Sequence, residues 1–130
     1  MKTSELGLVI RKFVLSGELP KWFNEKHITF RLHTSEPFTA DDFAPEYTGY
    51  KPIKVDRKSI EHGSDHSAFA DEIQFAANKD KGNIVKIAWY SISIGDSFMA
   101  YKIQIPDGGL TLTPGHAPYF DKGDIKVIEK

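Results

Sequence analysis

The stretch NIVKIAWYSISIGDSFMAYKIQI, residues 83–105, decides the fold of this 130-residue chain. Its first part, Ile84 to Ile94, is apolar on both faces, which is typical of a strand at the centre of a sheet. Gly95-Asp96 then has the composition of a tight hairpin turn, and alternating apolar positions resume from Phe98 to Ile105. We therefore expect a central pair of antiparallel strands in this stretch.

Short alternating segments extend this pattern along most of the chain. Pro52 cannot donate a ladder hydrogen bond, so its strand is predicted to lie at an edge or to contain a bulge. The stretch from Glu61 to Ala68 is polar and is predicted to be a loop. The fold class indicated is mainly β, an antiparallel β-sandwich or jelly roll. The further predicted strands are ITFRLHT (28–34), YKPIKVD (50–56), EIQFA (72–76), LTLT (110–113) and DIKVIE (124–129).

The N-terminal segment is predicted to be an α-helix. Thr3 or Ser4 can cap its N-terminus, and Gly17 followed by Pro20 is a stop signal. A helix placed ahead of a β-domain must cover its apolar stripe with its own domain or with a neighbouring subunit. The stripe has the three- and four-residue spacing of one helical face and consists of Leu6, Val9, Ile10, Phe13 and Val14.

Length and composition limit the classes of function. We expect residues 1–20 to form the amphipathic helix and linker, and residues 21–130 to form a single β-sandwich domain. A net charge of -1 gives no basic footprint for nucleic acid. The absence of cysteine excludes disulfides and thiolate catalysis and fits a reducing compartment. No apolar run approaches the roughly 20 residues of a membrane span, and the start lacks the pattern of a secretory signal, so we expect a soluble protein.

The histidines do not form a convincing metal site. His62 and His66 are four residues apart, but Gly63 and Ser64 interrupt the segment and no third ligand is near. A solvated loop is therefore the preferred interpretation. His33 lacks the histidine pair and carboxylate of a cupin barrel strand, and we interpret it as an outward hydrogen-bonding residue.

The acidic and glycine-rich segments do not indicate catalysis. Asp41, Asp42 and Glu46 lie in an acidic loop without the glycine and alternating oxygen ligands of a calcium loop. A glycosidase needs two carboxylates at a fixed separation across a cleft, which the sequence does not establish. Gly108-Gly109 opens no helix, as a phosphate-binding glycine loop would. We therefore expect no enzyme activity, no cofactor and no metal.

Aromatic residues in two connecting segments are the remaining candidates. Residues 21–27 connect the helix to the first strand, and residues 35–49 form a loop long enough to suggest an interacting role. Large apolar side chains in such segments often become buried only against a partner. Contact with a partner and local packing of the loop are both open interpretations. The side chains predicted to contact a partner are Trp22, Phe23, Phe38, Phe43 and Tyr47.

Several short motifs occur in a familiar order. They are Leu32-His33-Thr34, Pro37, Gly49-Tyr50, Ile73 to Ala76, Gly95, and Pro114 to Phe120 with Gly123-Asp124-Ile125. In this order the chain resembles a bacteriophage family of tail-fibre-like or virion structural proteins. Small β-domains of this size also resemble the cement, or decoration, proteins that clamp phage capsids. The resemblance covers residues 28–129 and concerns mainly strand and turn signatures.

The resemblance implies a non-enzymatic virion structural protein, with capsid decoration as its leading form. Such a protein would be a homo-oligomer that binds the major capsid protein or other virion proteins, and not nucleic acid or membrane. It would be found in the virion, after assembly in the host cytoplasm. A tail or tail-fibre component that binds a receptor or carbohydrate is the alternative. A cupin-like enzyme, which would need a bound metal, ranks last.

Overall fold

The fold is mainly β with one N-terminal helix, and its paired strands are antiparallel. A computed structural model describes residues 3–20, 22, 24–62, 66–69, 72–121 and 126–128. The elements are α1 (Ser4–Ser16), β1 (His27–His33), β2 (Ile53–Asp56), β3 (Ile60–His62), β4 (His66–Phe69), β5 (Ile73–Gln74), β6 (Val85–Ile87), β7 (Trp89–Ile94), β8 (Phe98–Gln104), β9 (Leu110–Leu112), β10 (Tyr119–Phe120) and β11 (Lys126–Ile128), with a 3₁₀ turn at Arg57–Ser59.

The largest sheet has four strands in the order β2-β1-β7-β8. The edge position of β2 confirms the prediction made from Pro52. β7 and β8 form the predicted hairpin, and Gly95 lies in the turn at a φ of 65°, which favours glycine. The register between these two strands shifts between Ile92 and Ser93, which marks a bulge on β8.

The apolar run from Ile84 to Ile94 forms two strands rather than one. β6 pairs with β9, whereas β7 lies inside the four-stranded sheet, and Ala88 separates them. Gly109 packs against this corner so closely that a β-carbon there would collide with the carbonyl oxygen of Ile87. The predicted central strand is therefore confirmed for β7 alone, because a run that is apolar on both faces does not reveal where the chain changes sheets.

One face of the four-stranded sheet lines the hydrophobic core. Phe30 and Leu32 of β1 and Ile92 of β7 are buried there together with Phe75 and Ile87, which come from the small sheets and their ends. Burying each side chain of this size stabilises the fold by roughly 1.5–3 kcal/mol. The core thus joins the large sheet to the segments that contain β5, β6 and β9.

The opposite face of the sheet is polar, yet on the central strands β1 and β7 it is largely buried. Thr29, Ser91 and Ser93 have no solvent exposure. The hydroxyl of Thr29 donates to the carbonyl oxygen of Gly95 at 2.6 Å, and the Ser93 hydroxyl accepts from the Arg31 guanidinium at 3.3 Å. These bonds offset the free-energy cost of burying polar groups.

The segment from Glu61 to Ala68, predicted to be a loop, contains parts of two paired strands. His62 of β3 lies opposite Ser67 of β4, and β11 adds a third strand on the other side of β4. The prediction was wrong because pairing with β11, about sixty residues away, outweighs the polar local composition. The side chains of His62 and His66 lie outside the described part of the structure, as do residues 122–125.

The predicted helix is confirmed, including both of its ends. The Thr3 hydroxyl accepts from the backbone N–H of Leu6 at 3.3 Å and donates to the carbonyl oxygen of Met99 at 2.7 Å. The backbone N–H of Thr3 also donates to the carbonyl oxygen of Ala100 at 2.9 Å. Gly17 ends the helix in the left-handed conformation. The N-cap therefore also fastens α1 to β8.

Candidate partner-contact surface

The loop of residues 35–49, here called the contact loop, lies between β1 and β2 and presents two large rings to solvent. Phe38 is 75% exposed and Phe43 is 49% exposed. Other parts of the same loop are buried, including Pro37 and Ala40. The loop is thus packed against the domain at some positions and displays aromatic side chains at others. How its backbone is fixed determines where these rings point.

Asp42 organises the first turn of the contact loop. Its Oδ2 accepts hydrogen bonds from the backbone N–H groups of Thr39 at 2.9 Å and Phe38 at 3.0 Å, and its Oδ1 accepts from the Thr39 hydroxyl at 2.9 Å. The backbone bonds from Thr39 and Phe38 stabilise the charged carboxylate and lower the pKa of Asp42. The Asp42 carboxylate therefore accepts hydrogen bonds from the loop itself, and this role accounts for an acidic residue at position 42.

His33 ties the contact loop to the sheet. Its Nδ1 is 2.6 Å from the carbonyl oxygen of Asp42, and its Nε2 is 2.7 Å from the hydroxyl of Ser91. Because a carbonyl can only accept, Nδ1 carries the proton and donates, and the neutral Nε2 accepts from the Ser91 hydroxyl. Burial lowers the pKa of His33 and favours this neutral form. His33 is a hydrogen-bonding residue, as predicted, but it is fully buried because the contact loop covers it.

Phe43 is held in a backbone conformation that bulky residues rarely adopt. Its φ is 53°, in the left-handed region. Its carbonyl oxygen accepts from the backbone N–H of Thr34 at 2.8 Å and from the Thr34 hydroxyl at 3.4 Å. The left-handed conformation costs an L-residue roughly 1–2 kcal/mol, so the surrounding loop must impose it. The structure thus keeps a strained aromatic residue at an exposed position.

Lys102 of β8 orients the other exposed ring. Its Nζ lies 5.3 Å from the centroid of the Phe38 ring, within the range of a cation–π contact. The same Nζ is 3.2 Å from the carbonyl oxygen of Pro37 and 3.3 Å from a carboxylate oxygen of Glu36. One side of the Phe38 ring therefore faces a fixed cation. No local sequence pattern predicts this role for Lys102, since the contact spans more than sixty residues.

Tyr47 does not belong to the exposed set. It is 7% exposed and is part of the hydrophobic core, where its ring lies 5.7 Å from that of Tyr50 in an edge-to-face arrangement. Its hydroxyl donates to the carbonyl oxygen of Ala76 at 2.8 Å, and burial raises its pKa to about 12. For Tyr47 the interpretation of local packing applies, because the end of the contact loop turns back into the core.

The aromatic pair of the connector divides in a similar way. Trp22 is partly buried, and its ring centroid is 4.9 Å from that of Phe98 at the start of β8. Phe23 lies outside the described residues. Of the side chains predicted to contact a partner, Phe38 and Phe43 are therefore the two in the contact loop that are exposed to solvent.

The chemistry available near the contact loop is limited. The hydroxyl of Ser91 and the imidazole of His33 form a hydrogen-bonded pair, but both side chains are fully buried beneath the loop. Within the described residues, no group of three or more His, Cys, Asp or Glu side chains is placed to hold a metal ion. The exposed groups around the loop are suited to non-covalent contact.

Comparison with known proteins does not assign the chain to a family. No protein-family model matches it, and no curated protein matches it. The resemblance to phage virion proteins therefore stays a prediction. Among the described residues, no helix has the length and apolar composition to cross a membrane.

Proposed function

We propose that this chain is a non-enzymatic virion structural protein that binds a capsid shell through its contact loop. The observation that carries the proposal is the outward display of Phe38 and Phe43 on a loop whose backbone is fixed by Asp42 and His33. Exposed aromatic rings are enriched in protein interfaces and often carry much of the binding energy. The proposed role is decoration of the head.

A fixed loop favours binding because little conformational entropy is lost when it meets a partner. Ordering a free side chain costs about 0.5–1.5 kcal/mol at an interface. Lys102 already orients the Phe38 ring, and the left-handed backbone already sets the direction of Phe43. A decoration protein is present in many copies on one shell, so modest affinity per contact is multiplied.

The proposal includes a finer statement of the fold. We propose that the four-stranded sheet and the small sheets that share its core form the two layers of a β-sandwich. Such a domain would place the contact loop at one end of the large sheet and leave its exposed rings free to meet a shell. Particle assembly would take place in the host cytoplasm, with the major capsid protein or another virion protein as the partner.

A tail component that binds carbohydrate is a second candidate, because one surface has suitable groups. Tyr119 is exposed, and its single hydroxyl proton is shared between two acceptors, a carboxylate oxygen of Asp121 and, with an O···O distance of 3.0 Å, a carboxylate oxygen of Glu72. Its strand partner Gln74 lines an open depression of about 470 Å³ together with Lys79. An exposed ring can stack on a sugar, and the neighbouring carboxylates can accept hydrogen bonds from the sugar hydroxyls. A glycan array with the purified chain tests this role, and Tyr119→Ala should abolish any signal.

The test of the leading proposal is the protein composition of virus particles. Particles purified by density gradient from the source culture should contain the chain in a fixed ratio to the major capsid protein, measured by quantitative mass spectrometry. Heads separated from tails should retain it. A chain that stays in the soluble fraction, or that is found only with tails, would exclude capsid decoration.

A further inference from the structure

We propose that α1 and the segment after it form a self-association surface that pairs with the same surface of a second copy of this chain. We call it the helix surface. It is distinct from the contact loop and adds a partner, the chain itself, to the assembly role proposed above. Its exposed apolar side chains are Leu8, Ile10, Phe13, Val14, Leu15 and Leu19.

The helix is fastened at its start and uncovered toward its end. Leu6, beside the Thr3 cap, is 6% exposed, whereas Leu15 in the last turn is 81% exposed. Within the described residues, Leu6 is the only buried residue of the whole helix. The stripe predicted from the sequence is thus covered at Leu6, while Ile10, Phe13 and Val14 face solvent. The last turn of α1, with Val14 and Leu15, is the part of the helix that is least covered by its own domain.

A helix of this kind needs a packing partner. Helices shorter than about 12–15 residues are marginally stable alone, and in proteins most of their stability comes from tertiary contacts. α1 has 13 residues, and apolar side chains lie on several of its sides, since Leu8 and Leu15 point away from the predicted stripe. Such a helix is normally buried. The capping by Thr3 and Gly17 shows that the sequence nevertheless specifies it as a helix.

The exposed apolar side chains can form the centre of a dimer interface. They lie on more than one side of α1, so a single interface covers part of the set and not all six. A standard interface buries about 800 Å² on each partner, and polar groups around the helix and the segment after it supply the remainder.

The helix surface also contains both a projection and a cavity. A cavity of about 250 Å³ lies between α1 and β8 and is lined mainly by Val9, Leu19, Trp22 and Phe98. It is open to solvent, and its volume is large enough to receive one phenyl ring from a partner. Phe13 projects from the same helix. Projection and cavity on one surface are what a two-fold symmetric interface requires, because each copy offers both parts to the other.

The charges of the helix surface fit a second copy better than a membrane. Lys12 and Glu18 both line the rim of the cavity, so two copies can meet with unlike charges in reach. An interfacial membrane helix has a polar face rich in Lys and Arg. α1 has only Arg11 and Lys12, and Glu5 offsets one of them. The partner we assign is therefore another copy of the chain.

The test is sedimentation velocity of the full chain over a concentration series, with two helix variants and one matched control. Leu15→Glu and Val14→Glu place charges at the most exposed apolar positions of the helix, so they should leave the domain folded. Ile84→Glu makes the same kind of change at an exposed apolar residue far along the chain. Circular dichroism and thermal unfolding should show that all three variants keep the fold.

We expect a dimer for the original chain and for Ile84→Glu, and at least about a tenfold weaker dimer for each helix variant. Phe38→Lys in the contact loop should leave the dimer intact, which separates this inference from the proposed function. A chain that is monomeric at all concentrations, or helix variants that dimerise as well as the control, would overturn it. Binding of the monomer to anionic vesicles would instead assign the surface to a membrane.

Discussion

The imidazole of His33 and the backbone carbonyl of Asp42 are joined by a hydrogen bond of 2.6 Å, which closes the contact loop over the sheet. The other ring nitrogen accepts from Ser91, so one neutral side chain connects the loop, β1 and β7. Only the bond with Ser91 depends on the neutral imidazole: protonation of Nε2 removes its ability to accept, whereas the Nδ1–H still donates to Asp42. The buried imidazole therefore connects the contact loop to the sheet, and its protonation would change its bond with β7.

The stability of the protein should fall in mildly acidic solution because of His33. Its pKa is lowered in the folded state, so the unfolded chain binds this proton more readily. Stability is then full above the ordinary histidine pKa of about 6.5 and is lost as pH falls below it. Urea unfolding at pH 7.5 and pH 5.5 measures the difference. His33→Gln should be less stable by roughly 1–3 kcal/mol at pH 7.5 and should show a smaller pH dependence.

The control for this pH effect is His116→Gln, which changes an exposed histidine. This variant should keep the pH dependence of the original chain. An equal pH dependence in the His33→Gln variant would show that other groups cause it.

Asp42→Asn should loosen the first turn of the contact loop. The amide side chain keeps one acceptor, whereas the carboxylate accepts three hydrogen bonds, from the Thr39 and Phe38 backbones and the Thr39 hydroxyl. Hydrogen exchange at the Phe38 and Thr39 amides, followed by NMR, should become faster. Asp41→Asn removes a neighbouring charge and should leave both exchange rates unchanged. Equal acceleration in the two variants would mean that net charge, and not the turn, controls exchange.

The left-handed conformation of Phe43 can be tested by two substitutions at one position. Phe43→Gly should be more stable than Phe43→Ala by about 1 kcal/mol, because glycine adopts this conformation without strain. At Phe38, which is more exposed and has no left-handed backbone, the order should reverse, with glycine about 0.5–1 kcal/mol less stable than alanine. Free energies of urea unfolding give both differences. The same order at both positions would contradict the assigned strain.

The aromatic residues of the contact loop should separate into core and surface. Tyr47→Ala should cost about 3–5 kcal/mol, because it removes a buried ring from the hydrophobic core. Tyr47→Phe, which removes only the hydrogen bond to Ala76, should cost about 0.5–1.5 kcal/mol. Phe38→Ala should change stability by no more than about 1 kcal/mol, since it loses only solvent-exposed contacts and the Lys102 contact. Thermal unfolding ranks the three variants, and a loss for Phe38→Ala as large as that for Tyr47→Ala would place Phe38 in the core.

The sequence was a good guide to elements whose signals are local. The helix is bounded by Thr3 and Gly17 as predicted, because a cap and a left-handed stop are each fixed by one residue. The β7–β8 hairpin was found because Gly95 provides the turn. Features that depend on distant parts of the chain were missed, such as the change of sheet at Ala88 and the β3–β4 pair, which is stabilised by β11.

The candidate surface was predicted in part for the same reason. Composition alone could not separate Tyr47 from Phe38 and Phe43, since all three are aromatic residues of one loop. What separates them is the return of the chain into the core at Tyr47. The exposed apolar side of α1 could have been predicted from Leu8 and Leu15, because both are apolar and lie outside the predicted stripe. The roles of Lys102 and Ser91 had no such signal, because Lys102 meets the contact loop and Ser91 meets His33 only in the folded protein.

The most direct test of the central claim is rebinding of purified chain to particles stripped of it, measured by quantitative mass spectrometry after gradient purification. The original chain and Ile84→Lys should rebind to the same level, whereas the double variant Phe38→Lys, Phe43→Lys should stay folded and lose at least about tenfold in affinity. If the folded double variant rebinds as well as the original chain, the contact loop is not the surface that binds the shell.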